Sequence, residues 1–182
     1  GWYMVKSGLV DDPYISHYRL AAHLILAFII IAFTYWMDLN SSITTKAVKN
    51  KKKSYNIFMN IIISIFLLQV IYGAFVGAFK LGKLWNTFPL INNSFIPEGL
   101  FSIKPFLHNF FENKLTLQFI HRYLGITLTS IISIFCYYIR KTSNKSLIIN
   151  SQYMLTIVLL QFLLGIITLI SSAPIILSAS HQ

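Results

Sequence analysis

The sequence predicts an all-α, polytopic bundle of transmembrane helices, and three observations carry that prediction. The 182 residues have a mean hydropathy of +0.65, with 55% hydrophobic and only 11% charged side chains, a balance unlike that of soluble domains. Several apolar runs reach the length of about 20 residues that a helix needs to cross a bilayer. The basic residues are concentrated in short connections between those runs, where the positive-inside rule expects them.

Residues 1–16 read as an outer loop, punctuated by Gly1, Gly8 and Pro13, with Trp2 and Tyr3 of the type that anchors at headgroup level. Residues 17–37 form the first expected span, with Ser16 in N-cap position. Residues 38–56 form a basic inner loop carrying Lys46, Lys49, Lys51, Lys52 and Lys53. Further spans are expected over about 57–79, 117–139 and 147–170, and another helix is expected to start near 181. Arg140, Lys141 and Lys145 crowd the connection before the last full span. Both basic loops therefore lie on one side, the cytoplasm or the mitochondrial matrix. The connection from Lys80 to Lys114 is then outside. Its Leu100, Ile103, Leu107, Phe110 and Phe111 fall at helical spacing, which predicts a short interfacial helix, either a lid or simple packing of the loop.

The net charge of +10 is a loop property and does not form a basic face interleaved with stacking aromatics, so nucleic acid is not an expected partner; the lipid bilayer is. The single cysteine, Cys136, falls in mid-span, which excludes a disulfide framework and a thiolate metal site. No signal-peptide pattern opens the chain, and its last residues, His181-Gln182, stand where a helix is expected to begin. The expectation is a piece of a longer protein.

The chemistry lies in the histidines. His121 stands at the head of the third span within Gln118-Phe119-Ile120-His121-Arg122, His23 near the head of the first, and His181 beyond the fourth. An ionisable group inside a membrane is costly without a partner, a wet cavity or a cofactor. The alternative is an imidazole bridging two helices. An internal repeat adds weight: Leu67-Leu68-Gln69-Val70-Ile71-Tyr72-Gly73 matches Leu159-Leu160-Gln161-Phe162-Leu163-Leu164-Gly165, and a histidine follows each copy. Paired neutral imidazoles in a helical bundle suit axial ligation of haem iron. Arg19, one turn before His23, and Arg122, beside His121, could pair with haem propionates or could snorkel to the headgroups. Zinc is less attractive, because the spans hold no HExxH motif and no companion carboxylate. His17 and His108 are expected to be solvated or interfacial. No acid pair and no nucleophile triad can be assembled from Asp11, Asp12, Asp38, Glu98 and Glu112. A transporter or assembly factor with structural histidines, and a di-haem electron carrier of the cytochrome b kind, are the competing readings.

GWYMVKSGL, HYRLAAHL, YGAFVGAFKLGKLWNTFPL, IPEGL, ENKLTLQFIHR and the closing LLQFLLGIITL…HQ, taken in order over nearly the whole chain, resemble the haem A synthases of the proteobacterial and mitochondrial type. The resemblance implies an eight-helix inner-membrane protein of two pseudo-symmetric four-helix halves. It implies oxidation of the C8 methyl of haem O, the substrate, to a formyl group, with haem B as cofactor and haem A destined for cytochrome c oxidase. The chain would then run from the end of the third helix to the start of the eighth, with residues 57–182 in the haem B half. It also implies that His121 and His181 are the haem B iron ligands, and that His23 is one histidine of the substrate-haem half. The second histidine of that half, and a glutamate one turn before it, would lie upstream of Gly1, so no catalytic residue is expected here and the piece alone should be inactive. Gln118 stands where that glutamate has its counterpart, and a neutral amide cannot act as its acid or base. Haem O synthase and cytochrome c oxidase assembly proteins are the implied partners; the electron donor and any homo-oligomer are not named by the sequence.

Overall fold

The computed structural model describes residues 15–42 and 53–182. Residues 1–14 and 43–52, which hold most of the expected outer N-terminal loop and the lysines at 46, 49, 51 and 52, lie outside the described residues. The described chain is helical, with α1 (His17–Ser42), α2 (Lys53–Ala78), the short α3 (Asn109–Glu112), α4 (Lys114–Arg140), α5 (Lys145–Ile170) and α6 (Ile175–His181). Four of these, α1, α2, α4 and α5, are long and apolar enough to cross a membrane. The protein is thus a multi-pass membrane bundle.

The helices overrun the apolar segments by a polar turn because their caps stand outside the bilayer-length core. The Asn113 side chain accepts from the backbone N–H groups of Leu115 and Thr116 to start α4, and that of Asn144 accepts from Leu147 to start α5. Packing is sequential: α1 lies on α2, α2 on α4, α4 on α5, and α5 on α6. The approach of Gln182 Nε2 to 3.3 Å from the Cβ position of Gly77 brings the end of α6 back against α2 and closes a ring. At the basic-loop end, Ile62, Leu128, Ile132, Phe135, Cys136 and Ile139 form one core; at the other end, Ala21, Ala74, Phe75, Leu81 and Leu117 form a second. Most of α1 and α5 stays exposed, as helices in contact with lipid can, since all their backbone groups are paired internally.

The outer connection departs from the expected pattern. Residues 100–105 are turns and bends, and between residues 100 and 112 only Phe106–His108, as a 3-10 turn, and α3 are helical. Gly99 and Phe101 adopt left-handed backbone at φ 90° and 60°, and Pro105 can offer no N–H to a helical ladder, so a continuous helix from Leu100 cannot form. A polar knot replaces it. Asn109, fully buried, accepts from Ile103 N–H at 2.9 Å and donates to the Ile103 and Phe106 carbonyls, both at 2.8 Å, while Asn113 donates to Asn109 Oδ1 at 2.9 Å.

Charge placement yields a topology test. A cysteine replacing Ser94, in the connection between α2 and α4, is expected to react with an impermeant thiol reagent in intact cells, and one replacing Ser143, between α4 and α5, is not. Labelling at Ser143 alone would place the histidine end of the bundle on the inner side.

Candidate functional site

His121, two turns into α4, and His181, at the end of α6, face each other with ring centroids 6.5 Å apart and planes inclined at 75°. A metal–imidazole bond of about 2 Å, with the nitrogen roughly a further 1 Å from the ring centre, places two rings that share one ion about 6 Å apart. The observed centroid separation of 6.5 Å is of that size. Two imidazoles fill two coordination positions, and a macrocyclic iron brings the other four itself. The Nδ1 atoms of both histidines are buried without a hydrogen bond, a costly state for two polar groups unless binding reorganises them. Donor type and spacing together fit haem.

Each ring rests on a glycine of the internal repeat. The Cβ position of Gly73 on α2 lies 3.1 Å from His121 Cε1, and that of Gly165 on α5 lies 2.7 Å from His181 Cε1. Any larger residue would push the ring away. Gly125, one turn after His121, meets Gln69 Nε2 at 3.3 Å and the Phe162 ring at 3.8 Å, so the floor between the helices is a bare backbone walled by an amide and an aromatic.

The polar residues flanking His121 hold the outer loop. Gln118 is buried and donates from Nε2 to the carbonyls of Trp85 at 2.9 Å and Leu81 at 3.3 Å. Arg122, also buried, donates through its terminal nitrogens to Thr87 at 2.6 Å, Trp85 at 2.7 Å and Leu90 at 3.2 Å. Its Nε is the remaining buried donor without a partner. The guanidinium is therefore a clamp on residues 85–90. Charge-assisted donors are what a cluster of backbone carbonyls at a membrane boundary needs.

Of the other residues singled out in the sequence, Arg19 is half-buried on α1 and His23 is exposed on the same helix. Among the described residues no three His, Cys, Asp or Glu side chains gather into one cluster, so the structure brings His121 and His181 together without His23. His108 is exposed as expected, but His17 is not solvated: it is 8% exposed, with its ring 4.5 Å from Phe79 and 4.9 Å from Phe75 between centroids. Its Nε2 stands 3.6 Å from Glu112 Oε1, which also accepts from the Tyr18 hydroxyl at 2.5 Å. Sequence reasoning missed this outer cluster because Glu112 and His17 are nearly a hundred positions apart. The aromatic pair at 75 and 79, one turn apart, was the only local sign of a ring-sized seat.

The family model described as COX15-CtaA, cytochrome oxidase assembly protein, matches residues 1–182. The chain is 41% identical over 183 residues to a protein of Wolbachia pipientis wMel, 38% over 185 residues to one of Nitrosospira multiformis and 37% over 186 residues to one of Bartonella henselae, all three named heme A synthase. In each case the whole chain is covered, against 51%, 52% and 51% of the relative. The chain spans about half the length of the curated relatives it matches. No solved structure matches it significantly. The match along its entire length shows that the chain belongs to the COX15-CtaA family of cytochrome oxidase assembly proteins.

Proposed function

We propose that this chain is the cofactor-binding portion of a haem A synthase, which oxidises the C8 methyl of haem O to a formyl group in the inner membrane. The observation that carries the proposal is the facing pair His121 and His181, each seated on a repeat glycine at a spacing suited to one iron. In this reading the two histidines hold haem B, and His23 contributes an iron ligand to the substrate-haem site. Haem B, when bound, supplies one-electron redox chemistry. The chain's own residues seat and enclose it: the glycines admit the rings, Phe162 and Gln69 wall the floor, and Gln118 and Arg122 keep the outer connection over the histidine end.

The test is pigment chemistry on the complete protein. Purified after expression with a haem O source, it is expected to show a low-spin haem B spectrum and to yield hydroxylated or formylated haem on extraction. A low-spin spectrum with only haem B and haem O in the extract would support an electron carrier instead. The absence of any Soret band would remove the haem reading altogether.

A further inference from the structure

The internal repeat suggests what its glutamine positions do. In an α-helix the carbonyl of residue i accepts the N–H of residue i+4, so the Gln69 carbonyl accepts from Gly73 and the Gln161 carbonyl from Gly165. A carbonyl oxygen has a second lone pair. The side chain at i+4 ordinarily covers it, because a helical side chain lies over the turn N-terminal to its own Cα. Glycine at i+4 uncovers it. Into these two gaps the imidazoles project, and they differ: His121 turns Nδ1 to the Cβ position of Gly73 at 3.6 Å with Nε2 farther away at 4.0 Å, whereas His181 brings Nε2 to 3.1 Å and Nδ1 to 3.3 Å from that of Gly165. The Gln69 backbone adjoins the first ring and the Gln161 backbone the second. Both Nδ1 atoms are buried without a hydrogen-bond partner. The Gln161 side chain reinforces its copy by donating from Nε2 to the His181 carbonyl.

We propose that the main-chain carbonyl of Gln69 is a positioning acceptor for the Nδ1–H group of His121, admitted by Gly73, so that this imidazole presents Nε2 to the iron. The proposal rests on the haem-ligand reading above. Its chemistry is general: a ligating histidine that donates its other N–H is fixed in tautomer and orientation and becomes a stronger donor to the metal. The Gln-x-x-x-Gly copy on α2 is then a docking motif for an imidazole from another helix.

The test uses the complete haem-loaded protein carrying His121→Gly, refilled with free bases. Imidazole and 1-methylimidazole both coordinate through an unsubstituted nitrogen, but only imidazole keeps an N–H for the Gln69 carbonyl. Imidazole is expected to restore the low-spin spectrum at a concentration about tenfold or more below that needed with 1-methylimidazole, the scale on which such outer partners act. Equal restoration by the two bases overturns the proposal. A His121→Gly protein that stays low-spin with no base added refutes the ligand reading itself, which separates the two failures. Should neither base enter, the haem midpoint potential decides: Gly73→Ala, which covers the carbonyl, is expected to raise it. A potential unmoved by Gly73→Ala overturns the proposal.

Discussion

His121→Ala in the complete protein is expected to abolish the low-spin spectrum of haem B, with the haem either lost or converted to a high-spin form. The ring of His121 faces that of His181 across 6.5 Å; in the proposed reading its removal would take away one of the two ligands this chain offers the iron, and nothing on α4 would replace it. Neighbouring side chains cannot substitute. Gln118 and Arg122 are engaged with loop carbonyls, and Leu117 is buried in a separate apolar core. A bridging histidine without a metal would behave differently, costing about 1 kcal/mol of stability and leaving the spectrum untouched. Reduced-minus-oxidised difference spectra with haem quantification read the outcome directly. Full haem B content with an unchanged low-spin spectrum would sink the ligand assignment.

Arg122→Ala is expected to destabilise the bundle by about 3 kcal/mol or more, since it removes charge-assisted bonds worth roughly 1.5–3 kcal/mol each. Three carbonyls, at residues 85, 87 and 90, lose a charged donor at once, and Trp85 and Leu90 keep only the neutral donors Gln118 Nε2 and the Thr87 hydroxyl. Lysine should rescue poorly, because a single ammonium cannot reproduce the planar fork that spans them. The measurements are thermal unfolding in detergent and protease sensitivity of the connection between α2 and α4. An Arg122→Ala protein that loses haem yet keeps wild-type stability and an intact loop would show that the guanidinium serves the cofactor through its free Nε and not the loop.

Part of the fold and of the site is legible in the residues alone. The spans follow from hydropathy and length, and α1, α2, α4 and α5 appear where the apolar runs lie. The repeat identifies Gly73 and Gly165 as paired positions, and the isolated intramembrane imidazole marks His121. What is not legible involves partners that carry no side-chain signature. Arg122 and Gln118 are bound to main-chain oxygens, and every residue offers the same oxygen, so no residue type in the loop announces that it will be the acceptor. The expected interfacial helix fails for a related reason: apolar spacing at 100, 103, 107, 110 and 111 describes a face, while Pro105 and the left-handed backbone at Gly99 and Phe101 decide whether a helix exists to carry it.

The sequence by itself determined the class of the protein, an all-helical membrane bundle, because burying backbone in lipid permits few alternatives and apolar runs of bilayer length declare themselves locally. It also determined which side chains could do chemistry, since so few ionisable groups enter the spans. Only the tertiary structure decided which of them meet. That His181 rather than His23 opposes His121, that His17 is buried against Phe75 and Phe79, and that a guanidinium beside a candidate ligand holds a loop all depend on helix rotation and on the return of α6 against α2. Those are set by packing summed over many residues far apart in the chain, a sum that no single segment encodes.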